Sequence, residues 1–62
     1  MDLTYETLFE AMIRLVRTQS PQEADAIAAE FSGARGPHAS SLRDSIEDRL
    51  DFFHAEAALE AQ

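Results

Sequence analysis

The chain has no cysteine, no lysine and no asparagine, and only two glycines and two prolines among its 62 residues. Without cysteine there can be no disulfide staple, and the thiolate zinc patterns are excluded with it. The two glycines lie in "SGARGP". That stretch is too short for a phosphate-binding loop and lacks its lysine, so Gly33 and Gly36 read as turn residues. No apolar run approaches the roughly 18 residues needed to span a bilayer, and "MDLTYETLFE" opens acidic where a secretory leader would open basic. The expectation is a cytoplasmic protein. Basic residues are also scarce: five arginines face twelve acidic side chains, for a net charge of -7. Such a field repels phosphate backbones and argues against direct nucleic-acid binding. Abundant alanine, with arginine as the only basic residue, points to a GC-rich bacterial or phage genome.

What remains is 45% hydrophobic and 27% charged, the balance of a chain that folds. A core in a chain shorter than roughly 70–80 residues seldom yields more than about 3–5 kcal/mol, so a partner or a second copy is expected to complete it.

The caps and faces predict an all-α fold of one domain over 1–62: a small three-helix module, long–short–long, completed into a larger bundle by dimerisation. Helix one is expected over about 4–18, capped by Asp2 or Thr4, with Glu6 in the first turn where the helix dipole favours negative charge. Its apolar arc, Tyr5, Leu8, Phe9, Met12, Ile13, Leu15 and Val16, is wider than one neighbour needs. "SPQE" at 20–23 predicts helix two over about 21–31. Ser20 is its cap, Pro21 its first residue and Glu23 closes a capping box. Ala24, Ile27, Ala28 and Phe31 form a narrow stripe, and Gly33 suits a left-handed helix end. After a loop over 32–40, helix three is expected over about 42–60 with Ser41 as cap; a start at Pro37 is the alternative. Its core seam is Leu42, Ile46, Leu50, Phe53 and Ala57.

Phe52, Ala55 and Leu59 form a second apolar stripe on helix three that a monomer would leave in water. With Ile13 at the outer edge of helix one, Phe52 and Leu59 are the candidate apolar contacts for a partner. Asp44, Glu47, Asp48 and Asp51 recur at i, i+3, i+4 and i+7 as an acidic ridge, the candidate electrostatic contact for a partner with a basic patch. Asp51 and His54 have the acid-x-x-His spacing of di-iron bundles. Glu6 and Glu10 of helix one lie on its polar side and do not converge on them, so no metal site is assigned. Neither histidine has a nucleophile arranged around it, and Ser40 and Ser41 read as helix caps.

No catalytic constellation and no cofactor motif emerge. The expectation is a non-enzymatic, acidic, helical protein-interaction module that regulates or inhibits a partner protein, encoded by a phage or other mobile element, and itself a homodimer. A self-assembling structural subunit, a nucleic-acid mimic occupying a basic site, and a metal-binding bundle are the alternatives.

Overall fold

In the computed structural model, which describes residues 2–61, three helices follow in the expected order: α1 (Tyr5–Val16), α2 (Pro21–Glu30) and α3 (Pro37–Glu60). No strand forms among the described residues; Asp2 and Arg35 share one isolated parallel bridge. The terminal residues of the expected domain, Met1 and Gln62, lie outside the described part.

Thr4 caps α1, its hydroxyl accepting the Thr7 amide at 3.1 Å. Asp2 is not the cap. The backbone before the helix is held instead by the Leu3 amide donating to the Arg35 carbonyl at 3.3 Å, and Leu3 is buried. Leu3 and Leu8 stand at the N′ and N4 positions of a hydrophobic staple, which fixes the entry of the chain into α1. At α2, Ser20 Oγ accepts the Glu23 amide at 3.3 Å, as the capping box requires. The return half is shifted by one residue: the Glu23 carboxylate accepts the amide of Gln19, ahead of the cap.

Three boundary expectations change. Helix three begins at Pro37 and not beyond Ser41, so the loop over 32–40 shrinks to 31–36. Proline at the first helical position has its φ already set and no amide to satisfy, and Gly36 supplies the cap at φ 96°, ψ 178°. Ser41 lies inside the helix, its hydroxyl donating back to the Pro37 carbonyl at 3.3 Å. Gly33 does not adopt a left-handed conformation; Gly36 is the only described residue with positive φ. His38 is consequently helical, with its ring edge-on to Tyr5 at 6.0 Å.

That contact also sets the direction of the bundle. Tyr5 at the start of α1 meets His38 at the start of α3, and Val16 at the end of α1 shares a groove with Arg49 and Phe52. α1 and α3 therefore run parallel, with α2 returning between them in an up-down-up order. The core is built from Leu3, Ala11, Leu15, Ala24, Ile27, Ala34, Ala39, Leu42, Ile46 and Phe53. Leu8, Met12, Ala28, Phe31 and Leu50 pack against it from the edges.

α3 outruns its neighbours. Its 24 residues amount to about 36 Å of helix at 1.5 Å per residue, and the molecule extends 42 × 16 × 15 Å. Every described residue from His54 onward is exposed. Ala57, expected in the core seam, is one of these: α1 ends at Val16, level with Arg49 and Phe52, and no helix continues alongside Ala57.

Candidate protein-interaction face

Among the described residues, the large hydrophobic side chains left exposed are Tyr5 (70%), Phe9 (57%), Val16 (66%), Phe52 (50%) and Leu59 (72%). They share one side of the molecule. On α1, Tyr5, Phe9, Met12 and Val16 repeat at 4-3-4, the spacing of a helix-pairing seam. On α3, Ser45, Asp48, Phe52, Ala55 and Leu59 repeat at 3-4-3-4. The two seams run side by side because the helices are parallel. Met12, Val16, Ser45, Asp48, Arg49 and Phe52 line a shallow groove of about 300 Å³ between them.

Phe52 and Phe53 divide the work of the fold and the surface. Phe53 closes the lower end of the core, and Phe52 stands half in water with its ring edge-on to Phe53 at 5.7 Å between centroids. Leu59, two turns beyond Phe52, continues the same stripe along the overhang. Ile13, one turn beyond Phe9, is partly buried and borders the exposed stripe without lining the groove.

Arg49 organises this region, and sequence reasoning does not single it out. Its Nε donates to Thr18 Oγ1 at 3.2 Å and one terminal nitrogen donates to the Thr18 carbonyl at 2.7 Å, with the Val16 carbonyl at 3.4 Å. Thr18 is buried, and its hydroxyl donates in turn to the Leu15 carbonyl at 2.6 Å. Val16 is the last residue of α1 and Thr18 lies two residues beyond it, where carbonyls have no helical partner and the negative end of the helix dipole lies; a guanidinium there meets both needs. The same cation lies 4.9 Å from the Phe52 ring centroid and 4.8 Å from that of Phe53. It thus ties the end of α1 to α3 and holds two rings, Phe52 on the exposed face and Phe53 beneath it. The signal for it, a cation opposite a helix end, becomes readable only once the register of α1 against α3 is known.

The acidic ridge is divided between two grooves. Asp48 lines the α1–α3 groove beside Phe52. Glu47 lies on the other flank, at the lip of a larger groove of about 390 Å³ between α2 and α3, with Arg43 beside it and Phe31, Leu42, Ile46 and Leu50 below. Asp44 and Asp51 stand exposed on the crest between the two. Arg14 and Glu30 form the one ion pair among the described residues, a two-pronged contact at 3.0 and 2.7 Å joining α1 to α2. Hydrogen bonds from Arg14 hold the Glu30 carboxyl below its ordinary range, and the same bonds raise the Arg14 guanidinium. All but one of the twelve acidic side chains therefore lack an ion-pair partner among the described residues. Asp51 and His54 are both exposed, and no three histidine, aspartate or glutamate side chains among the described residues converge as a metal site would require. No described helix is long and apolar enough to cross a membrane. No family model matches the chain, and no curated protein and no solved structure matches it either.

Proposed function

We propose that the chain is a non-enzymatic protein-interaction module that regulates or inhibits a partner protein by docking through the α1–α3 face. One observation carries this reading. Tyr5, Phe9, Val16, Phe52 and Leu59, the large apolar side chains left in water among the described residues, fall on one face at helix-pairing spacing and are not scattered. Single exposed hydrophobics are ordinary, but two aligned stripes on parallel helices form the kind of surface on which another helix docks. The flanking acids give that surface a sign as well as a shape.

A photo-crosslinking residue placed at position 52 or 59 should capture one and the same protein in producing cells, and the same group at Gln22 or Asp25, exposed on α2, should not. Equal capture from both faces would refute the assignment of the face. A second reading, a self-assembling structural subunit, is favoured by the uncovered overhang of α3 beyond Phe53. It predicts that the captured protein is another copy of the chain.

A further inference from the structure

We infer that the occupant of the α1–α3 face is a basic amphipathic helix of about six turns, with an apolar stripe along one side and lysine or arginine flanking it. The inference rests on the docking reading above and adds the chemistry of the partner.

Length follows from the register. Tyr5 is level with His38, and Leu59 lies 21 residues further along α3, about 32 Å at 1.5 Å per residue. A single helix touching both ends of the face needs about that many residues of its own. The parallel pair α1 and α3 offers it a groove already floored by Met12 and Phe52. The fourth helix would complete an up-down-up chain into a four-helix bundle.

The sign follows from the charges beside the groove. Asp48 is in the groove wall, and Asp44 and Asp51 stand on the adjoining crest, none of them in an ion pair. The cation within the groove, Arg49, is already engaged by the carbonyls of Val16 and Thr18. A helix with basic flanks satisfies these carboxylates, and one with acidic flanks is repelled by them. A second copy of the chain would bring the same three aspartates and a further net charge of -7 to the same face.

The test uses the full chain and two labelled synthetic peptides of about 21 residues, both with leucine at the a and d positions, one with lysine and the other with glutamate at e and g. Fluorescence anisotropy should show one saturable site for the lysine peptide, at least tenfold tighter than for the glutamate peptide. The lysine affinity should fall as salt rises from about 0.05 to about 0.5 M. Replacing Asp44, Asp48 and Asp51 together with asparagine should remove most of the preference for lysine. The double variant Phe52→Ala, Leu59→Ala should weaken binding about tenfold or more, with helicity by circular dichroism unchanged. If both peptides bind equally and the double variant loses both, the face is a docking surface and the charge inference falls. If the double variant binds the lysine peptide as the parent does, the docking reading falls with it. A dimer that persists on dilution, cross-links between copies through position 52 and excludes both peptides would place a second copy on the face and overturn the inference.

Discussion

Replacing Arg49 with methionine, which keeps the length of the side chain and removes its charge and donors, should cost about half or more of the stability of this fold. The guanidinium makes hydrogen bonds to Thr18 Oγ1 and to the Thr18 carbonyl, with a longer one to the Val16 carbonyl. Bonds from charged donors contribute about 1.5–3 kcal/mol when well shielded, and these are only part-buried, so about 1 kcal/mol for each of the two shorter ones is appropriate. Contacts of the cation with two aromatic faces add about 0.5–1 kcal/mol each. The expected loss is about 3–4 kcal/mol, against a total of about 3–5 kcal/mol for a core of this size. Urea unfolding followed by circular dichroism measures it directly. With a slope near 1 kcal/mol per molar, the midpoint should fall by about 3 M or more. Arg49→Lys should recover less than half of the loss, because a single ammonium cannot hold two acceptors in the plane of a fork. Thr18→Val should cost about 1 kcal/mol, and its effect should largely vanish in the Arg49→Met background, since the two side chains share one network. A loss below about 0.5 kcal/mol for Arg49→Met, or additive single and double variants, would refute the view that this arginine ties α1 to α3.

The adjacent phenylalanines should respond in opposite ways: Phe53→Ala should lose about 3 kcal/mol or more in the same urea assay, and Phe52→Ala less than about 1 kcal/mol. Gly36→Ala should cost about 1–3 kcal/mol through backbone strain alone, because φ is 96° and nothing lies within 4 Å of the added methyl carbon. Gly33→Ala should be close to neutral, a contrast that thermal melts of the two variants will show. The Arg14–Glu30 contact should support the fold at neutral pH and fail in acid. The folded carboxyl holds its proton less tightly than the unfolded one, so its contribution is present above the ordinary carboxylate range and is lost as pH falls through the lowered value. Glu30→Gln should flatten that part of the acid unfolding curve, and an unchanged curve would show that the pair does not contribute. Amide exchange by NMR should find residues 55–60 nearly unprotected in the isolated chain and slowed when the lysine-flanked peptide is bound; protection in the isolated chain would mean that the overhang is already covered.

The helices and most of their caps are local physics, and the sequence determines them. Ser20, Pro21 and Glu23 satisfy or remove amides within one turn of themselves, so the start of α2 needs no tertiary information. The stripe Ala24, Ile27, Ala28 and Phe31 reads as buried because α2 has only one apolar side to offer. Phe52 and Leu59 read as surplus for the complementary reason, since the opposite seam of α3 already supplies enough for a core. The start of α3 was less legible. Pro37 and Ser41 both carry N-terminal signals, and choosing between them depends on whether Gly36 can adopt a positive φ and Ala39 can reach the core.

Register is what only the tertiary structure decided. The apolar arc of α1 is wide enough to bury either edge; packing against α2 and α3 buries Ala11 and Leu15 and leaves Tyr5, Phe9 and Val16 outside. A spacing of 3.6 residues names a face of a helix but not the neighbour that covers it. The same limit hid the role of Arg49, whose carbonyl partners lie 31 and 33 residues away in sequence. It also hid the exposure of Ala57, which follows from where α1 stops. Local hydrogen bonding sets where helices form, whereas the level at which two helices pack is set by side chains distant in sequence, and that level determined which apolar residues remain available to a partner.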